Sequence, residues 1–198
     1  MFASAALAEK IQGISYTYPD EPGQDSDIPH QDPLRTKLTD GNIGAGGGSA
    51  VWGQWQGNKA IVRFDLKRKY NLSAIEIWTR EDSKDQHLGR VEILSSTNGS
   101  DYRRVRTLRN PREPLKEKPL KPNIYSFGAQ DLNVEARYLK LTFYQDNLTA
   151  GIYQQVIEEV YLWGEPLPFG YDQKMPPVEF TAKVNTYSSV RLEIGDYL

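Results

Sequence analysis

The feature that most constrains the fold of this chain is a succession of short segments in which apolar and polar residues alternate. In residues 60–66, for example, Val62, Phe64 and Leu66 would lie on one face of a strand. Comparable segments are residues 10–18, 74–79, 90–96, 102–108, 123–127, 136–143 and 156–163. Turn-forming residues separate them, and residues 10–164 contain no helical pattern of useful length. We therefore predict an all-β domain over residues 10–165, an antiparallel β-sandwich.

Several connections between these segments can be assigned from their residue types. Residues 70–73, Tyr-Asn-Leu-Ser, are predicted to be a turn, and residues 80–89 a charged loop. The Asn98-Gly99 pair is typical of a β-hairpin. Residues 109–123 contain repeated prolines, which cannot donate hydrogen bonds to a sheet, so we predict a protruding and locally basic loop. Such charged stretches are mostly solvated edges, and binding of a polyanion is the minor alternative.

Charge and residue types exclude several classes of function. With 24 Lys and Arg residues against 26 Asp and Glu, the net charge of −2 supplies no general attraction for nucleic acid or an anionic membrane. The chain has no cysteine, which excludes disulfides, thiolate zinc sites and cysteine nucleophiles. No uninterrupted run of about 18 apolar residues is present, so no segment is expected to insert into a membrane.

The two ends of the chain differ from the middle. Residues 1–9 include Ala6-Leu7-Ala8, which resembles a signal-peptide cleavage site, so we interpret them as the remnant of a secretory signal or a disordered start. Residues 166–198 begin with a proline-rich linker and continue with two strand-like segments, 178–184 and 189–194. These segments either pack on the sandwich as extra strands or begin a further β domain, and the sequence slightly favours the second alternative.

The tetrapeptide Thr39-Asp40-Gly41-Asn42 is the first candidate for a site. Because Gly41 can adopt a positive φ, a tight loop here could direct side-chain and carbonyl oxygens at a hard cation. The distant Glu159 could complete such a site from the last predicted strand. The same tetrapeptide is also an ordinary turn without any metal, and the motif alone favours that simpler interpretation.

Taken in order, several segments resemble the discoidin family, also called the coagulation-factor type C domain, which includes carbohydrate-binding module family 32. The resemblance covers about residues 13–164. The segments that carry it are residues 38–41, 60–66, 73–78, 91–102, 136–141 and 159–164.

The resemblance implies a galactose-binding-like jelly roll with a structural calcium ion, Ca²⁺. Its implied metal ligands are Asp40 and Glu159, with Asn42 and Ser49 as further loop ligands and the carbonyl of Lys37. The chain departs from the family pattern where a glycine-rich insert, residues 44–49, follows the Asp-Gly loop.

Binding in this family uses loops at one end of the sandwich. A sugar presents one C–H face and several hydroxyl groups, so it needs a ring to stack on and fixed hydrogen-bonding side chains. The implied glycan-binding residues are Trp55, Gln54, Arg80, His87, Tyr144, Gln145 and Asn147. His30 lies in a more distant loop.

Three functions follow from these observations. The first is a non-catalytic carbohydrate-binding module of a secreted, extracellular bacterial multidomain protein, attached to further domains such as a glycoside hydrolase or polysaccharide lyase, with a polysaccharide as its partner. The alternative is a cell-surface adhesion or protein–protein interaction domain that uses the same loops. An enzyme is the third hypothesis, and it would depend on a carboxylate pair such as Glu81 and Asp146.

Overall fold

The computed structural model describes residues 8–18, 32, 34–44, 51–53, 59–83, 86–145 and 155–168, and for residues 51–53 and 155 only the backbone. The strands are β1 (Glu9–Lys10), β2 (Ser15–Thr17), β3 (Val51–Gly53), β4 (Lys59–Glu81), β5 (Leu88–Ser96), β6 (Arg103–Arg109), β7 (Asn123–Ala129), β8 (Val134–Gln145) and β9 (Gln155–Pro166). All the strand pairs are antiparallel, and the described part of the chain contains no helix. The all-β, antiparallel prediction is confirmed.

The long strand β4 belongs to both halves of the sandwich. Its first part, from Lys59 to Asp65, pairs with β8, and its last part, from Ala74 to Glu81, pairs with β9 and β7. The register with β8 shifts between Asp65 and Tyr70, where Lys67 has a φ of 71°. The predicted turn at residues 70–73 is therefore wrong. Those residues stay in the strand because the alternation continues and places Leu72 in the core, while the chain bends before them.

One hydrophobic core lies between the two halves. The half formed by β2, the first part of β4, β8, β5 and β6 contributes large buried side chains such as Phe64 and Phe143. The half formed by β9, the last part of β4 and β7 contributes side chains such as Ile77 and Leu162. Along β4, β5 and much of β8, residues that enter this core alternate with residues on the outer faces.

One end of the sandwich carries the connections that contain most of the candidate binding residues; we call it the loop end. Lys59 pairs with Tyr144 beside the pair of Leu88 with Gln145, so β4 begins where β8 ends and β5 begins. Residues 54–58, 82–87, 110–122 and 146–154 connect strands at this end, and of these 54–58, 84–85 and 146–154 lie outside the described residues. The predicted Asn98-Gly99 turn lies between β5 and β6, and Gly99 has a φ of 82°.

The chain divides into two compact units, Met1–Leu167 and Pro168–Leu198. Within the second unit only Pro168 is described, so the assignments of residues 1–9 and 166–198 to a signal remnant and a further domain stay predictions. Among the described residues, no helix is suited to crossing a membrane.

Candidate functional site

The Asp40 loop is fixed directly against strand β9. The backbone N–H of Gly41 donates to Glu159 Oε2 at 2.9 Å, and the N–H of Val160 donates to the carbonyl of Leu38 at 2.8 Å. Gly41 has a φ of 82°, which a side chain would disfavour, and this backbone conformation directs its N–H at the carboxylate. The structure therefore brings the Asp40 loop into contact with β9, a pairing that the sequence suggested through the resemblance to a family.

Two carboxylates face each other where the loop meets β9. The pKa of Glu159 is raised to about 7, chiefly by burial and in part by the nearby carboxylate of Asp40. The hydrogen bond from Gly41 and the charge of Lys10 act in the opposite direction. Asp40 Oδ1 also accepts from the backbone N–H of Asn42 at 2.9 Å. Such a pair, in which a buried carboxylate lies beside an exposed one, is better tolerated when a cation lies between them.

The residues around this pair suit a hard cation only in part. The described residues contain no group of three or more His, Cys, Asp and Glu side chains that could hold a metal ion. A calcium ion between Asp40 and Glu159 would therefore need carbonyl or amide oxygens for its remaining ligands. Asn42 is exposed beside the pair, the backbone of Lys37 lies at the start of the loop, and Ser49 lies outside the described residues.

Asp32 anchors the base of the Asp40 loop, and sequence reasoning did not identify it. Its Oδ2 accepts hydrogen bonds from the hydroxyls of Tyr16 and Tyr18, and its Oδ1 accepts from the backbone N–H groups of Thr36 and Lys37 at 3.0 and 3.3 Å. Burial raises the pKa of both tyrosines, which therefore remain hydrogen-bond donors at neutral pH. The available signal was the pair Tyr16 and Tyr18, one in β2 and one directly after it, because buried hydroxyls need partners.

A buried polar cluster ties several connections together at the loop end; we call it the loop-end network, and it consists of Glu81, His87, Asn110, Asn123 and Tyr125. Glu81 Oε1 lies 2.6 Å from His87 Nδ1 and accepts from the Tyr125 hydroxyl at 2.6 Å, while Oε2 accepts from Asn123 Nδ2 at 3.3 Å. Asn110 Nδ2 donates to the Tyr125 hydroxyl at 2.7 Å. The network thus joins the ends of β4 and β6 to the starts of β5 and β7.

The electrostatics of the network keep its central carboxylate ionised. Burial alone would raise the pKa of Glu81, but the hydrogen bonds from His87, Tyr125 and Asn123 together hold that pKa below its ordinary value. A carboxylate stabilised in this way is a poor proton donor, so Glu81 does not suit the role of a general acid. Asp146, its proposed catalytic partner, lies outside the described residues.

A buried ion pair links the loop end to the Asp40 loop. Arg80 Nη1 lies 3.1 Å from Glu158 Oε1, and Arg80 Nε donates to Asp82 Oδ2 at 3.1 Å. Glu158 Oε2 accepts from the backbone N–H of Gly44 at 2.9 Å. Glu158 and Glu159 therefore hold consecutive parts of the Asp40 loop, with Arg80 balancing the charge of Glu158.

The candidate glycan-binding residues fall into three groups. Arg80, His87 and Gln145 are only 5%, 3% and 1% exposed, so little of these side chains is accessible to a ligand. Tyr144 is half-buried on the outer face of β8, where its hydroxyl donates to Glu92 Oε2 at 3.1 Å. Outside the described residues lie Trp55, Gln54, Asn147 and His30. Direct contact of the seven candidates with a glycan stays a prediction.

A comparison with protein-family models matches residues 25–156 to the F5/8 type C domain. A comparison with curated protein sequences found no match.

Solved structures share the fold at low sequence identity. The C-terminal domain of a chitobiase from Bacteroides fragilis is 17% identical with a TM-score of 0.55, and the match covers 81% of this chain and 99% of that one. CpGH89CBM32-5 from Clostridium perfringens, solved with GalNAc-β-1,3-galactose, is 12% identical with a TM-score of 0.56, over 80% of this chain and all 100% of that one.

A third similar structure is CBM32-1 from a family 31 glycoside hydrolase of Clostridium perfringens, 17% identical with a TM-score of 0.51, over 78% of this chain and 96% of that one. These matches extend over nearly the whole length of single domains, and they confirm the expected galactose-binding-like jelly roll.

Proposed function

The chain belongs to the F5/8 type C, or discoidin, domain family, and from this premise we propose that it is a non-catalytic carbohydrate-binding module that binds glycan through the loops of the loop end. Two of the similar structures support this proposal. CBM32-1 comes from a family 31 glycoside hydrolase, and CpGH89CBM32-5 was solved with GalNAc-β-1,3-galactose. Because one fold can serve many functions, the proposal has to depend on the site as well.

The loop-end network is the observation that carries this proposal. Binding a sugar from water requires loops that are already ordered, since ordering them on binding reduces affinity. At the loop end, the Glu81 carboxylate joins segments that are distant in sequence, including Tyr125, 44 positions away. The fully buried Glu158 performs a similar role for the Asp40 loop. This end therefore provides a fixed support for the connecting loops, which is how many binding sites are constructed.

Binding can be tested on a glycan array, followed by calorimetry with GalNAc-β-1,3-galactose and related galactosides. We expect Trp55→Ala to abolish binding without changing the melting temperature, because Trp55 provides the stacking surface. Trp163→Ala is the matched control: it removes the same side chain from the outer face of β9, away from the loop end. An array on which the intact protein binds no glycan would overturn the proposal.

One observation favours a protein–protein interaction or adhesion domain as the second candidate. Leu120 lies in the 110–122 connection at the loop end, and its side chain is fully exposed at 106%. An exposed aliphatic side chain on a loop suits a protein surface better than a sugar. If this function is correct, Leu120→Ser should abolish attachment to cells while leaving glycan-array binding unchanged. The opposite result, in which Trp55→Ala alone abolishes attachment, would favour the glycan.

We further propose that Ca²⁺ binds between Asp40 and Glu159 and stabilises the fold. The proposal is supported by the two facing carboxylates and by the way the Gly41 N–H fixes the loop on β9. An ion that binds only the folded state at a concentration 100 times its Kd adds about 2.7 kcal/mol of stability. The remaining ligands would be the carbonyl of Lys37 and oxygen atoms of Asn42 and Ser49.

Thermal unfolding with and without a chelator tests the calcium proposal. Chelation should lower the melting temperature, and Asp40→Ala should remove this sensitivity. Asp131→Ala is a suitable control, since Asp131 is an exposed carboxylate that pairs with Arg106 on the surface. A melting temperature that responds neither to chelator nor to added calcium would refute the metal site and leave the fold unaffected.

The proposal includes secretion and attachment to further domains of the same polypeptide. Support comes from the similar module of a family 31 glycoside hydrolase and from the signal-like residues 6–8. An antibody against this domain should detect it, as part of a larger polypeptide, in the culture medium or on the cell surface of its natural source. Detection only in the cytoplasm would contradict it.

A further inference from the structure

The outer face of the first half of the sandwich concentrates positive charge. It is formed by the first part of β4 with β8, β5 and β6, whose alternate residues point away from the core. We call it the basic face; its cationic residues are Lys59, Arg63, Arg90, Arg104, Arg109 and Lys140. The whole chain has a net charge of −2, so this concentration is a local property of the face and not of the composition.

Strand register arranges these residues in two rows. In the first row, Lys59 lies opposite Tyr144, Tyr144 opposite Arg90, and Arg90 opposite Arg109. Neighbouring strands are about 4.8 Å apart, so this row crosses roughly 14 Å of the face. The guanidinium of Arg90 lies 4.0 Å from the centre of the Tyr144 ring, which holds it in place. This row borders the loop end.

The second row lies four positions further along the strands, roughly 13 Å away. Here Arg63 lies opposite Lys140, Lys140 opposite Leu94, and Leu94 opposite Arg104. Lys140 Nζ lies 5.0 Å from the centre of the Tyr102 ring, so an aromatic ring also holds a cation in this row.

Two described carboxylates on this face, Glu92 and Asp65, lie outside the two rows. Glu92 lies between them, where it accepts from the Tyr144 hydroxyl at 3.1 Å and lies 3.9 Å from Arg104. Asp65 pairs with Arg137 Nε at 3.3 Å and Lys67 Nζ at 3.7 Å, both outside the two rows.

Several cations therefore remain unneutralised. Within the described parts of the chain, Lys59, Arg63 and Arg109 have no carboxylate within 4.0 Å, and all of them are exposed. These exposed cations have a fixed number and spacing and are not neutralised within the fold. Such an arrangement suits an extended partner with negative charge.

We infer that the basic face binds an acidic polysaccharide, a chain of sugars bearing carboxylate or sulfate groups, and that this chain continues onto the face from the loop end. The inference rests on the proposed glycan-binding function for the class of partner. Charge complementarity supports it, as does the contact of the first row with the loop end, because a chain held by the loops would pass directly over Lys59 and Arg109. Nucleic acid would be attracted by the same charges, but the described rings of Tyr144 and Tyr102 are already covered by cations and offer less surface for base stacking.

Affinity electrophoresis and calorimetry with polygalacturonate, dextran sulfate and neutral dextran test the inference with the full chain. The intact protein should bind one or both acidic polymers more tightly than neutral dextran, and added salt should weaken the binding, since a polyanion releases counterions when cations contact it. The two acidic polymers distinguish carboxylate from sulfate as the recognised group.

Paired substitutions locate the surface. Lys59→Gln with Arg109→Gln should weaken binding of the acidic polymer by roughly 2- to 30-fold, because exposed ion pairs are individually weak, and should make it less sensitive to salt. Lys116→Gln with Lys118→Gln is the matched control: it removes the same charge from exposed positions of the 110–122 connection, and binding should be unchanged.

The outcomes separate this inference from the proposed function. Binding of neutral galactosides without binding of acidic polymers would overturn the basic face alone, whereas failure to bind any glycan would overturn both. A loss of acidic-polymer binding confined to the Lys116 and Lys118 variant would assign the charge effect to the loop and refute the face. Equal or tighter binding of single-stranded DNA, lost in the same Lys59 and Arg109 variant, would refute the choice of a polysaccharide.

Discussion

Removal of the Tyr125 hydroxyl isolates one bond of the loop-end network. Tyr125→Phe keeps the ring, which is 4% exposed within the core, and deletes the donor to Glu81 Oε1. Asn110 also loses an acceptor, but its Nδ2 still donates to the carbonyl of Leu88 at 2.7 Å. Glu81 keeps its contacts with His87 and Asn123. The substitution therefore removes one hydrogen bond to a charged group and leaves the other members of the network with partners.

The size of the effect follows from that single bond. A hydrogen bond to a charged group contributes about 1.5–3 kcal/mol to the free energy of unfolding. For a domain of this size each kcal/mol shifts the melting temperature by about 2–4 °C, so Tyr125→Phe should lower it by roughly 3–12 °C. Tyr138→Phe is the matched control, because the Tyr138 hydroxyl has no hydrogen-bond partner among the described residues and its loss should cost less than about 0.5 kcal/mol.

The pH dependence gives the prediction a second, independent measurement. The folded state lowers the pKa of Glu81, so the stability it contributes is present above the unfolded pKa, about 4.3, and is lost as the pH falls through the lower folded value. Urea unfolding should therefore show the full difference between Tyr125→Phe and the intact protein at pH 7. The difference should shrink as the pH falls below the unfolded pKa and through the lower folded pKa of Glu81, because the bond to a protonated Glu81 is no longer charge-assisted.

Either of two results would refute this account of the network. A loss smaller than about 0.5 kcal/mol at pH 7, equal to that of Tyr138→Phe, would mean that the bond contributes no more than an ordinary surface contact. A loss of the expected size that does not change with pH would mean that the effect of the substitution does not depend on the ionised Glu81.

Two further substitutions probe other parts of the structure. Asp32→Ala leaves two buried tyrosine hydroxyls and two backbone N–H groups without their acceptor. It should lower the free energy of unfolding by roughly 2–5 kcal/mol, measured by urea unfolding. A loss equal to that of Asp131→Ala would contradict the anchoring role. Gly128→Ala would place a methyl group 2.0 Å from the backbone carbonyl oxygen of Ile75, so it should destabilise the domain by about 1–3 kcal/mol, measured the same way; an unchanged stability would show that β4 and β7 can separate without cost.

The sequence predicted the strands well because alternation is a local property. Residues 60–66, 90–96 and 136–143 each lie within observed strands, since one side of each strand faces the core. The failure at residues 70–73 has a local cause as well. The chain bends through Lys67, a residue without the usual turn signals, and Lys67 holds a φ of 71° with its N–H donating to Asp65 Oδ1 at 2.8 Å.

The site was harder to predict because its contacts join distant positions. Residues 80–82 were expected in a charged loop, yet Arg80 and Glu81 end a strand and are buried. Periodicity cannot reveal that Glu81 meets Tyr125 or that Glu159 meets Gly41, 118 positions earlier. The pairing of the Asp40 loop with Glu159 could be expected only from the resemblance to a family, and the buried partners of Asp32 had no such guide.

Strand β4, an uninterrupted element of 23 residues, also determines how this domain can come apart. Since the same strand pairs with β8 in one half and with β9 and β7 in the other, neither half keeps a complete set of neighbours when the other melts. The domain should consequently melt in one cooperative step. A fragment cut at Lys67 should not reassemble with its complement as readily as fragments cut within the exposed 110–122 connection, where no strand is interrupted.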